Sequence, residues 1–496
     1  MNTLNGGRRL EIKGGQLKIL TSDELHEVHL ATLEILERVG VKVSEQRALR
    51  LLEEAGAFVD VKERIARIPQ HLVEEAIKKA PSGFTLFGRS PKYKLRLQDR
   101  RVCFSMGGQS VNVLDLETGK QRASTLKDCE NFFRLADALE NVHHTTIVVR
   151  PRDVPESVAH VHELLAGLGN TTKTLDAETY GQTVALDSVR MASVVRGGEE
   201  ELRKRPLLLG FHNPVSPLQH SEKLTEALMM YAKYSQPVII APEAQAGATA
   251  PVTLAGLLAQ QNAEVLSGIV IAELVNPGAP VLFGTVSTIM DMKTGNLAYG
   301  AVEAGLINVA TAQLAHYYGL PCRGTGSGTE SKIPDIQAGF EKAMTLMMAA
   351  LAGINFIFNA AGTLESTLTA SFEQAVIDNE ICGMVSRALR GMKIGDETLA
   401  IDVIENVGPG GQFLDQRHTL EHLKKEHYIP TILNRQKRET WERTGSKNLR
   451  EVAREEAKRI LKEHQPEPLD RDVEQELEKI VKEVEKRELK ISSTRR

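Results

Sequence analysis

Between residues 101 and 395 the chain repeats one pattern: a short apolar run, a polar or glycine-rich turn, then a stretch with helical spacing. The apolar runs fall at 102–104, 145–149, 173–175, 207–209, 238–240, 281–283, 321–323 and 354–358. Helical periodicity follows them at about 126–139, 155–168, 180–196, 219–235, 252–275, 298–318, 334–351 and 372–389. Leu224, Leu228 and Tyr231 form one inward stripe; Ile336, Phe340, Met344 and Met347 form another. Parallel strands buried on both faces are short and continuously apolar, as these runs are. Eight alternations predict an α/β fold, a closed (β/α)8 TIM barrel over 101–395. An open, doubly wound sheet is the alternative.

The ends of the chain follow other patterns. Thr21 and Glu24 have capping-box spacing, and Leu25, Val28, Ile35, Leu36 and Val39 make an apolar stripe that stops at Gly40. Helices at 45–55 and 69–79 and strands near 84–87 and 94–97 complete an expected N-terminal α+β cap over 1–100. Residues 396–496 read as a C-terminal helical extension. Within it, 446–490 is dense in Glu, Lys and Arg and breaks at the HQPEPLD of 464–470, the pattern of two solvated surface helices.

Composition narrows the function. The formal net charge is −4 with both signs interspersed, whereas phosphate binding needs a concentrated basic surface, so nucleic acid is not expected as a partner. Cys103, Cys129, Cys322 and Cys382 form no CxxC pair, and no apolar core follows the basic residues of the N-terminus; a cytoplasmic protein is expected. The most apolar stretch, 345–362, contains Gly353, Asn355 and Asn359. It reads as a buried helix running into a buried strand, because a membrane span needs ~20 mostly apolar residues.

Catalysis in such a barrel sits at the carboxyl ends of the strands. That rule selects Met106 to Gln109, Arg150, Asp176 and Glu178, then Phe211, His212 and Asn213, then Glu243, Gln245, Thr285, the loop 323–332, Asn359 and Glu365. No lysine ends a strand, which argues against a Schiff-base aldolase. His160 and His162 are two apart on an expected helix and do not face together, and His143 and His144 read as surface or packing residues. The loop GTGSGTESK lacks P-loop spacing, and no GxGxxG opens a helix. What remains is a site without metal or nucleotide. Its carboxylates suit a cationic substrate, and Phe211, Phe358, Tyr180 and Phe283 are candidate rings for one. Arg150 and Arg323 suit a substrate carboxylate or a rim ion pair.

Four long, irregular stretches carry a family resemblance: PVTLAGLLAQQNAEVLSGIV at 251–270, GLPCRGTGSGTESKIPDIQAGFEKAMT at 319–345, SFEQAVIDNEI at 371–381 and TGSKNL at 444–449. Through them the chain resembles the trimethylamine:corrinoid methyltransferases over nearly its whole length, including members without pyrrolysine that act on quaternary amines such as glycine betaine. The resemblance implies a barrel, a separate corrinoid protein as methyl acceptor, no tightly bound cofactor, and a homo-oligomer. No DxHxxG corrinoid-ligand motif is present, so the cobalt is expected on a partner docking over the barrel mouth, with the glycine-rich loop 324–331 as a gate.

The position that lines up with the pyrrolysine of the trimethylamine enzymes is Gly328. The family's electrophile is therefore absent here. A quaternary ammonium already carries a neutral amine as leaving group and needs only to be held, dried and aligned. A quaternary substrate is expected, with Gly328 leaving room for a bulkier one. Glu178, Glu243 and Glu365 are the candidates for its cationic head; His212, Arg150 and Arg323 for a carboxylate; Gln109 and Asn213 for orientation. A trimethylamine-type substrate, a barrel lyase or hydrolase, and a non-catalytic betaine-binding module are the alternatives.

Overall fold

The computed structural model describes residues 12–90 and 93–494. Eight parallel strands close into a barrel: Cys103–Met106, His144–Thr145, Thr174–Asp176, Leu208–His212, Val238–Ile240, Val281–Gly284, Cys322–Thr325 and Phe356–Ala361. The eighth strand pairs with the first, Phe356 opposite Cys103 and Ile357 opposite Phe104, which eliminates the open sheet. The barrel helices are Leu126–Ala138, Glu156–Asn170, Gln182–Arg196, Glu222–Lys233, Leu254–Val275, Val302–Tyr317, Ile336–Ala352 and Phe372–Leu389.

Two expectations about local pattern fail for physical reasons. The run 145–149 is buried, but only its first residue stays in the sheet; Ile147 and Val148 instead accept from the amides of Gln109 and Ser110. On the seventh helix, Ile336 and Phe340 are exposed, while Ala338, Lys342, Thr345 and Ala349 face the barrel. An apolar stripe chosen by hydrophobicity alone picks the wrong face there, because the inward face carries a lysine.

The expected N-terminal helices form and pack on the fifth barrel helix, joined by short strands at Val41–Val43, Phe58–Asp60 and Ile65–Arg67, while the expected hairpin closes one end of the barrel. Thr21 and Glu24 form a reciprocal cap on the helix Ser22–Glu34, which ends in a π turn at Gly40. The hairpin Gly83–Phe87 and Lys94–Gln98 inserts Leu86, Leu95 and Leu97 among Leu209, Ile239, Leu282 and Phe356. Asn355, just before the eighth strand, donates to the carbonyls of Gln98, Asp99 and Arg101. The amino-terminal end of the barrel is thus plugged, and access is left to the opposite mouth.

That mouth is built up by three hairpins that the periodicity does not reveal: Asn112–Leu114 with Gln121–Ala123, Thr288–Asp291 with Asn296–Ala298, and Thr363–Leu364 with Thr369–Ser371. Two of them turn on the same local chemistry. Asp115 and Asp291 each take a backbone or hydroxyl donor from the Thr three residues on, and Gly119 and Gly295 follow at φ 69° and 73°. The repeated DxxTG is the signal that marks them.

Among the described residues one helix, Leu254–Val275, is long and apolar enough to cross a membrane, yet 78% of its most apolar window is buried inside the protein, as the fifth barrel helix requires. The stretch 345–362 does divide into a helix end and a strand.

The charged C-terminal helices are not merely solvated. Leu449–Glu463 buries Ala453, Ala457 and Ile460, and its Arg450 and Arg454 converge on Glu373 of the eighth barrel helix. Arg471–Thr494 buries Leu477, Ile480, Val481 and Val484, and its Arg487 pairs with Asp187 at 2.7 Å. Asp187 also meets His160 at 3.1 Å, so the HxH pair serves packing.

Burial raises the Asp187 carboxyl, but His160 and Arg487 outweigh it and hold the group below the usual carboxylate range. A depressed carboxyl contributes stability that is present above its unfolded pKa of about 3.9 and is lost as pH falls through the folded value. Asp187→Asn at neutral pH should therefore cost about 1–3 kcal/mol. Thermal melts should show that loss, and proteolysis should release 471–494 first. An unchanged melt with the helix still protected would contradict the assignment.

Candidate active site

The cavity at the open mouth has a volume of about 280 Å³, at the lower end of small-molecule sites. Its lining comes from strand ends and hairpins, including Gln109, Asp176, Phe211, Glu243, Tyr299 and Arg323. Strand alternation explains the set: along the seventh strand Arg323 and Thr325 turn inward, whereas Cys322 packs outward in the core.

Arg323 dominates the chemistry. It is 1% exposed, and its guanidinium carbon lies 4.6 Å from the Phe358 ring centroid and 5.6 Å from that of Phe211. Nη1 donates to the Thr285 carbonyl and, at 2.8 Å, to Thr325 Oγ1, while Nε has no partner among the described residues. Burial pushes the guanidinium down to about 10, against the opposing pull of Tyr299, Asp176 and Glu243. At neutral pH it is a cation with a free donor.

Two carboxylates face the same cavity. Asp176 is held by His144 at 2.7 Å, and the other imidazole nitrogen meets Thr174 Oγ1 at 2.8 Å. Glu243 accepts from the Tyr299 hydroxyl in a close contact. Burial first, and then the Glu243 charge, pushes that hydroxyl well above its ordinary pKa, so it stays protonated and donates.

The residues expected from sequence separate into three groups. Gln109, Phe211, Asn213, Glu243, Arg323 and Phe358 line the cavity. Arg150 and Glu178 sit at its rim, paired at 2.8 Å, with Gln109 Nε2 3.3 Å from the same carboxylate. Glu178 is therefore engaged by Arg150. His212 and Glu365 lie elsewhere. His212 points out of the barrel, as the neighbour of inward Phe211 must, and stacks on His220 with a 2.8 Å hydrogen bond. Burial pushes it down to about 4, so it is neutral and cannot grip a carboxylate. Glu365 accepts from Gln121 and Thr369 inside the mouth hairpins. Phe283 is core against Tyr318, and Tyr180 is exposed.

Gly328 leaves no extra room. A Cβ there would stand 2.3 Å from the Tyr299 carbonyl oxygen and 2.6 Å from its carbon. The loop around it is also not a gate: 324–329 and Ser331 are buried, and Thr329 and Ser331 carbonyls accept from Ser366 and Glu365 amides. Sequence reasoning missed Tyr299, which sits beyond a hairpin rather than at a strand end, and it placed His144 outside the site. The alternation of His144, Thr174 and Asp176 across paired strands was the available clue.

A closed (β/α)8 barrel with a charged cavity at the carboxyl ends of its strands is the architecture of a barrel enzyme. The chain belongs to the trimethylamine methyltransferase (MTTB) family, which it matches over residues 4–490, and it is a methyltransferase. It is 40% identical to the trimethylamine methyltransferase MttB of Desulfitobacterium hafniense (strain DSM 10664 / DCB-2), over 96% of this chain and 95% of that one. It is 37% identical to the glycine betaine methyltransferase of Desulfitobacterium hafniense (strain Y51), over 93% and 96%. The crystal structure of the Methanosarcina barkeri monomethylamine methyltransferase shares the fold, with TM-score 0.54 at 11% identity over 90% of this chain and 88% of that chain.

Because the Tyr299 backbone blocks position 328, Gly328→Ala should force the Tyr299–Glu243 wall to shift. A displacement of about 1 Å at a reacting site lowers kcat/KM about a hundredfold. Steady-state kinetics on a folded variant would register it; a rate within a factor of about two of the parent would mean that Tyr299 does not shape the site.

Proposed function

We propose that this enzyme transfers a methyl group from a small zwitterionic quaternary amine, glycine betaine or a similar compound, to cobalt(I) of a corrinoid carried by a separate protein. One observation carries the substrate class: the cavity presents a buried guanidinium and two carboxylates, the complement of a molecule with both charges. Arg323, on the cavity wall, takes the substrate carboxylate, and Asp176 and Glu243 face the ammonium head. Trimethylamine would leave Arg323 without an anion, and its ammonium ion would in addition place a second cation beside it.

The absence of a side chain at Gly328 supports the same reading. A quaternary nitrogen needs no electrophile to capture it, because the departing group is a neutral tertiary amine. The bond from nitrogen to methyl breaks with its pair left on nitrogen, and the acceptor supplies the pair for the new bond to carbon. The chain's residues therefore align the methyl with the mouth, exclude water and hold charge; no proton is moved. Family membership alone does not choose the substrate, since the relatives are named for trimethylamine and for glycine betaine.

The test mixes the purified chain, cob(I)alamin and a panel of methylated amines, and follows the spectrum for methylcobalamin. Zwitterionic quaternary amines should be converted, and trimethylamine should not. Conversion of trimethylamine alone would overturn the substrate class. Tight binding of betaine without any methylated corrinoid, even with corrinoid proteins supplied, would make the chain a binding module.

A further inference from the structure

The reaction described above leaves one pair of fully buried charges unused. Lys342, on the seventh barrel helix, and Asp378, on the eighth, meet at 3.1 Å with both side chains wholly inaccessible. Each also bonds to the backbone just after a barrel strand, Lys342 beyond the seventh and Asp378 beyond the eighth. Lys342 Nζ donates to the Ser327 carbonyl at 2.9 Å. Asp378 Oδ2 accepts from the Gly362 amide at 2.9 Å, and Oδ1 accepts from Gln374 at 2.8 Å.

The segments so held are unusual in backbone. Ser327 lies at φ 49° and Gly362 at φ 98°, and Glu365 to Thr367 continue at positive φ. Non-glycine residues in that region persist only where surrounding contacts fix them. Ser327 is next to Gly328, whose Cα faces the Tyr299 carbonyl, and the Glu330 carboxylate accepts from the Gly300 amide. A chain of contacts thus runs from the ion pair through 327–330 to Tyr299 and so to Glu243. We propose that Lys342 and Asp378 are positioning residues, which fix the 326–331 backbone so that it sets the Tyr299–Glu243 wall of the cavity.

A buried pair can often be replaced by neutral groups of similar shape, whereas removing one partner strands a charge. The informative variant is therefore the double substitution Lys342→Met with Asp378→Asn, in the full-length chain. Amide hydrogen exchange should accelerate about a hundredfold at 326–331 and at 299–300, with the barrel helices unchanged. This readout needs no ligand, so it stands even if the substrate class proposed above is wrong. Against whichever methylated amine the parent turns over, KM should rise about tenfold while kcat changes little. Adding Tyr299→Phe should then worsen KM by no more than about twofold, since both changes act through one wall. Exchange unchanged in both segments, exchange accelerated throughout the chain, or fully additive effects with Tyr299→Phe would each overturn the proposal. If the parent turns over no methylated amine, the substrate reading falls and the exchange result alone decides this one.

Discussion

Everything at the mouth of the barrel is arranged around a guanidinium that has been taken out of water. A buried cation survives only where rings, carbonyls and carboxylates surround it. Phe211 and Phe358 flank Arg323, the Thr285 carbonyl and Thr325 hydroxyl bind it, and Asp176 and Glu243 supply opposite charge. Each carboxylate is in turn anchored, Asp176 by His144 and Glu243 by Tyr299. The cavity is therefore a fixed pattern of charge rather than a plain apolar pocket. Its rings face the arginine, which assigns them a different task from holding the substrate cation directly.

The scaffold explains why this pattern is rigid. The hairpin Gly83–Phe87 and Lys94–Gln98 plugs the far end of the barrel, and three further hairpins wall the near end. The glycine-rich loop after the seventh strand is enclosed between two of those hairpins and touches no open surface along most of its length. The cavity opens among the hairpins, not through that loop.

The fold was legible because its signals are local. Short apolar runs and helical spacing locate all eight strands and helices to within a few residues, and Thr21 with Glu24 caps its helix as the spacing indicates. Site residues were legible where a strand end points inward, as with Phe211, Glu243, Arg323 and Phe358. His212 was misplaced because strand-end position was applied without the two-residue alternation that turns it outward. Tyr299 and Lys342 were illegible for another reason. Each is brought into place by tertiary packing, one beyond a hairpin and one on a helix face whose apolar stripe lies elsewhere, at exposed Ile336 and Phe340. The effect of Gly328 also depended on a neighbour that only the folded chain reveals: the apparent vacancy is filled by Tyr299.

The central claim is that a permanent positive charge on the substrate nitrogen is what the carboxylates of this cavity recognise. Calorimetric titration of the chain with glycine betaine and with 3,3-dimethylbutanoate, its tert-butyl isostere that keeps the carboxylate and lacks the ammonium charge, isolates that charge at constant shape. The account predicts that glycine betaine binds about a hundredfold more tightly, a difference of about 2.7 kcal/mol. Equal affinities would contradict it.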